Sequence, residues 1–140
     1  MTNPPDAANC ERAARLVDEI AEPFKGQPDF EIERVEAWSS VAFANLHDAA
    51  DLHDAANCER TARLVDKLAE PFKGQSEFER QRAEAWRAVA FAFANVPDAV
   101  GCERTARLVD KIAEPFKGQP VFPDFETESR KAWDQVRACT

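Results

Sequence analysis

AANCERAARLVDEIAEPFKGQ, running from Ala7 to Gln27, returns as AANCERTARLVDKLAEPFKGQ at Ala55 to Gln75 and as AVGCERTARLVDKIAEPFKGQ at Ala99 to Gln119. The first two copies match at 18 of 21 positions, and so do the second and third. A less similar segment follows each copy and centres on a tryptophan: Trp38, Trp86 and Trp133. A repeat of ~44 residues falls in the range of helical arrays, whose units bury apolar surface only against their neighbours. One domain over 1–140 is expected, with units of about 6–48, 54–97 and 98–140.

The repeated segment reads as an amphipathic helix. In copy one Cys10, Ala13, Ala14, Val17, Ile20, Ala21 and Phe24 follow the three-four spacing of a buried stripe, with charged residues between them. Asp6, Asp54 and Asp98 are the expected N-caps, with Asn9, Asn57 and Gly101 as rival positions. Pro23, Pro71 and Pro115 disfavour helix at the preceding Glu, and Gly26, Gly74 and Gly118 suit a left-handed closing residue. Between these signals Phe24, Phe72 and Phe116 are placed to tuck the corner into the core. A second helix then opens at Asp29, Ser76 or Asp124, and Ser76 with Glu79 fits a capping box. Its buried stripe is Phe30, Val35, Trp38, Ala42 and Leu46 in copy one, and Phe78, Trp86, Val89, Ala90 and Phe93 in copy two. The duplicated LHDAA at Leu46–Ala50 and Leu52–Ala56 lengthens the first junction. In the last helix Asp134, Gln135 and Arg137 replace apolar residues, the polar outer face of a terminal cap.

Composition narrows the function. Only 4 glycines and no tyrosine occur in 140 residues, and net charge is −8 from 26 acidic and 18 basic side chains. A chain without a basic run is poorly suited to nucleic acid or to an anionic membrane surface. The opening MTNPPDAAN has neither a basic n-region nor an apolar h-region, so a cytoplasmic protein is expected. Cys10, Cys58 and Cys102 hold one repeat position, which sets them roughly 16–20 Å apart in a stacked array, too far for a disulfide. Cys139, near the C-terminus, reads as a free thiol.

Helical hairpins in tandem, with small residues in the second helix, resemble tetratricopeptide repeats. Ala85, Val89, Ala92 and Pro97 stand at that family's alanine, aromatic, alanine and proline offsets, and Ala37, Val41 and Ala44 repeat the match, with Ala49 at the proline position. The first helix lacks the family's Trp-Leu-Gly-Tyr positions, and the unit exceeds the usual length of about 34. The resemblance implies an all-α fold of three tandem hairpins stacked as a short right-handed solenoid. It also implies first helices on the concave face and a role in protein–protein interaction.

Catalytic or metal chemistry finds little footing. HDAADLHD, from His47 to Asp54, offers two imidazoles and two carboxylates, but a spacing of six does not put both histidines on one helical face. The thiols on the apolar stripe suit packing, and the tryptophans suit core filling. No Gly-rich phosphate loop, nucleophile elbow or HExxH occurs. No cofactor or metal is expected, and the chain reads as non-enzymatic.

What remains is a charged ladder: Glu11, Arg12, Arg15 and Asp18 recur as Glu59, Arg60, Arg63, Asp66 and as Glu103, Arg104, Arg107, Asp110. Glu11 and Arg15 are four apart and can pair within the helix. Arg12, Arg60 and Arg104 lack so obvious a partner and would form a line along the first helices. Arg12, Arg15, Arg60, Arg63, Arg104 and Arg107 are therefore the candidate binding residues of a scaffold for a protein or peptide partner. The alternative is a self-associating structural protein that forms a homodimer through an open face of the first repeat.

Overall fold

The computed structural model describes residues 7–47 and 49–139. They form six α-helices and no strand: α1 (Ala7–Ala21), α2 (Pro28–His47), α3 (Leu52–Ala69), α4 (Ser76–Asn95), α5 (Ala99–Ala113) and α6 (Phe122–Cys139). Each helix packs on the next in sequence, and the second helices α2, α4 and α6 also touch in order. No helix among the described residues is long and apolar enough to cross a membrane.

The corner inside each repeat follows from the sequence EPFKG. A single 3₁₀ turn closes each first helix at Glu22–Phe24, Glu70–Phe72 and Glu114–Phe116, with the proline in its first turn, where a missing N–H costs nothing. The glycine then takes φ of 89°, 90° and 83°, a conformation other residues resist. These two events aim the phenylalanine at the next helix. Phe24 stacks on Phe30, Phe72 on Phe78 and Phe116 on Phe125, with ring centroids 4.2, 4.3 and 4.2 Å apart. Phe72 and Phe116 are buried as expected, whereas Phe24 is 40% exposed.

The helix starts differ in part from expectation. Asp98 caps α5, its carboxylate accepting from Gly101 N–H at 3.1 Å. At α3 the cap is Asp51, which accepts from Asp54 N–H at 2.9 Å, while Asp54 accepts from Ala50 N–H. The lengthened junction thus becomes mostly helix: α3 has 18 residues where α1 and α5 have 15. Asp6 lies outside the described residues, as does Asp48 of the HDAADLHD stretch. The second helices start on backbone rather than side chains. Gln27 and Gln75 carbonyls accept from Glu31 and Glu79 N–H at 3.0 Å, and Gln75 makes no side-chain cap. No Ser76–Glu79 capping box forms, because Glu79 is buried and held by Arg82 at 2.7 Å.

The core lies around α4, which contacts α2, α3, α5 and α6. Ala83, Ala85, Ala88, Ala90 and Ala92 are fully buried there, and such small side chains let four neighbours approach. The repeat cysteine marks each junction: Cys58 Sγ donates to Ala42 C=O at 3.2 Å, and Cys102 Sγ to Ala90 C=O at 3.3 Å. The expected stripe of α1 is only partly covered. Ala14 and Ala21 are buried, but Ile20 is 69% exposed whereas its counterpart Ile112 is 6% exposed. α3 rests on α2 and α5 on α4, and among the described residues α1 has no such helix beneath it.

The second junction holds a close contact. A Cβ at Gly101 would stand 2.7 Å from Phe93 Cδ1 and 2.8 Å from Asp98 Oδ2. The first junction has Asn57 and Asn45 at these positions, so glycine accompanies the larger phenylalanine. Helix propensity alone favours Gly101→Ala by about 1 kcal/mol, but overpacking costs about 1–3 kcal/mol. We expect Gly101→Ala to lower the thermal midpoint; a raised midpoint would show that Phe93 yields without cost.

Candidate functional site

Each hairpin is fastened by one carboxylate. Trp38, Trp86 and Trp133 point their indole N–H groups at Asp18, Asp66 and Asp110 of the preceding helix, at 3.2, 3.1 and 2.9 Å. Arg34 and Arg82 add a second donor to Asp18 and Asp66 at 2.9 and 2.7 Å, and Ser129 takes that place at Asp110. Glu31 and Glu79 hold the far side of the same guanidinium groups at 3.1 and 2.7 Å. For Arg82, burial works against the charge, but Asp66 and Glu79 outweigh it and raise its pKa. The tryptophans are therefore more than filling: their one polar atom ties the two helices together.

The outer face of each indole carries an arginine. Arg15, Arg63 and Arg107 lie over Trp38, Trp86 and Trp133 at 5.8, 5.6 and 5.8 Å. The same arginines pair with Glu11, Glu59 and Glu103 at 3.5, 3.1 and 2.9 Å, as the four-residue spacing suggests.

Between α1 and α3 lies a groove of about 1110 Å³ with Trp38 and Val41 of α2 on its wall. Of the six candidate arginines it gathers Arg15, Arg60 and Arg63, together with Leu64 and Lys67. Arg12, Arg104 and Arg107 do not line it. Arg104 is committed elsewhere: it reaches Glu59 at 2.8 Å and lies 5.6 Å over Phe93. The three arginines at this ladder position are thus not equivalent, because α5 stands near enough to α3 for the pair to form.

Most of the groove's charge is internally spent. Glu11 pairs with Arg15, Asp18 with Arg34, Asp66 with Arg82, and Arg63 with Glu59. Arg60 and Lys67 make no ion pair among the described residues. An acidic protein thereby presents a groove with a locally positive remainder.

The remaining candidates sit apart from this groove. His47 ends α2, and His53 lies in the first turn of α3. Among the described residues no group of three His, Cys, Asp or Glu side chains is arranged to hold a metal ion. Cys139 is a free thiol, as expected, but it is half-buried and packs against the core. Compared with known proteins, the chain matches no family model, no curated protein and no solved structure.

Two predictions follow from this geometry. Asp66→Ala removes a charged acceptor from Trp86 and Arg82, at a cost of about 2 kcal/mol after allowance for its partial exposure. Asp110→Ala, where serine replaces the arginine, is expected to cost about half as much. Urea unfolding checks the order, and equal losses below about 0.5 kcal/mol would show that the clasp does not hold the hairpin.

The thiols give the second. Burial, and then Glu59, pushes Cys58 up to about 12 from the ordinary 9.0, and burial, then Cys139, does the same to Cys102. In native protein Cys10 and Cys139 should react with a thiol reagent well before Cys58 and Cys102. Between pH 9 and 12 the unfolded thiols ionise while the folded ones stay protonated, so stability should fall with rising pH there. Equal labelling of all four cysteines would contradict this.

Proposed function

We propose that this chain is a non-enzymatic protein–protein interaction module of the tetratricopeptide-like kind, with three hairpins in a right-handed stack and first helices on the inner side. Its ligand is an extended, carboxylate-bearing segment of a partner protein, bound between α1 and α3. The observation that carries this reading is the charge left over in the groove. Its acids are tied to Trp, Arg or both, while Arg60 and Lys67 make no ion pair among the described residues. An arginine without an ion pair among the described residues offers forked donors to a carboxylate, and the adjacent half-buried Leu64 supplies apolar contact. Acids and bases locked in structural pairs suit recognition better than proton transfer.

Selection of a random peptide display library on the purified chain tests this. Enriched peptides should carry Asp or Glu, and binding should fall about tenfold or more for Arg60→Ala with Lys67→Ala. Its salt dependence should flatten. Arg104→Ala should change little, and helicity should stay constant in all variants. Basic or purely apolar winners, or undiminished binding by the double variant, would refute the groove as a site for acidic segments.

A further inference from the structure

The side of α1 that faces away from α3 differs from its counterparts. In α3, Arg60, Thr61, Leu64 and Lys67 look across the groove toward α1. The same repeat positions in α1 are Arg12, Ala13, Leu16 and Glu19, which by this equivalence look outward. Beside them lie Ile20 and Phe24, whose counterparts Ile112 and Phe116 are buried in copy three. Leu16, Ile20 and Phe24 are 55%, 69% and 40% exposed, an apolar strip along α1 and the 3₁₀ turn that ends it.

Copy one differs from copy two at three positions only: Ala13 for Thr61, Glu19 for Lys67 and Ile20 for Leu68. All three lie on this strip. One removes a hydroxyl, one exchanges similar apolar residues, and one reverses a charge. On a heptad frame Ala13 and Ile20 take position a, Leu16 takes d, and Arg12 and Glu19 both take g. When two such helices pack antiparallel about a two-fold axis, g faces g, so Arg12 of each copy meets Glu19 of the other. Copies two and three have Arg60 with Lys67 and Arg104 with Lys111, which would set like charges together.

We propose that α1 is the interface of an antiparallel homodimer, centred on Leu16, flanked by Ala13 and Ile20 and bordered by reciprocal Arg12–Glu19 pairs. The occupant is a second copy of this chain, because the charge pattern is complementary to itself under a two-fold and this is the isologous arrangement most dimers use. Stacking of α1 on the far helix of another copy fits less well. There Arg137, paired with Asp134, holds the position of Ala42 and Ala90, whose carbonyls receive the cysteine thiols at the internal junctions. Apolar burial supplies the affinity, and the exposed ion pairs select the antiparallel orientation. A 15-residue helix is about 22 Å long, so the contact is small and the dissociation constant micromolar.

Sedimentation velocity on the full chain, with reductant and up to about 200 µM, tests the proposal. Wild type should show a monomer–dimer equilibrium. Arg12→Glu and Glu19→Lys should each weaken it about tenfold or more, and the two together should restore it to within about threefold. Ile20→Lys should abolish it, with circular dichroism unchanged throughout, since Ile20 is exposed in the chain. A wild type that stays monomeric, a dimer indifferent to the single changes, or a double variant that fails to recover would each overturn it. The groove reading stands or falls separately, because none of these substitutions touches Arg60 or Lys67.

Discussion

A carboxylate with two kinds of donor organises this protein. Asp18, Asp66 and Asp110 each take an indole N–H from the partner helix, and two of them take a guanidinium as well. A tryptophan buried between helices has a single donor, and leaving it unpaired would cost its full desolvation. Meeting that need fixes how the second helix turns its face to the first. It also ties up the acids of each hairpin, so the groove's electrostatics are a by-product of how the hairpins are held.

The three repeats are alike within themselves and unlike at their seams. Each hairpin has the same EPF corner, stacked phenylalanines and Trp–Asp contact. Burial at this position rises along the chain, however, as Ile20, Leu68 and Ile112 pass from exposed through half-buried to buried. Near-identical residues therefore do different things according to what stands beside them. Glu59 serves both Arg63 and Arg104, while Glu11 serves Arg15 alone among the described residues.

This difference sets what the sequence can disclose. Local features were legible: helical periodicity, the proline–glycine corner, the Asp98 cap and the Glu–Arg pairs four apart. Those depend on a few neighbouring residues. The exposure of Ile20, the commitment of Arg104 and the Asp51 cap were not, because each depends on which helix lies alongside or on how a junction closes. The Trp–Asp contact lay in between. Aspartate and tryptophan recur in all three copies, 20, 20 and 23 residues apart, whereas neighbouring Glu19 becomes lysine, and this was a usable signal. Reading tryptophan as apolar volume obscured it.

Near-identical helices also pose a problem of address. α3 and α5 could in principle exchange seats on α2 and α4, since their buried stripes are almost the same. The contact between Phe93 and Gly101 discriminates between them. Asn57 brought against Phe93 would set its Cβ about 2.7 Å from the ring, where Gly101 has none. One steric pairing thus acts as a registration mark, letting a chain of copies tell its second repeat from its third.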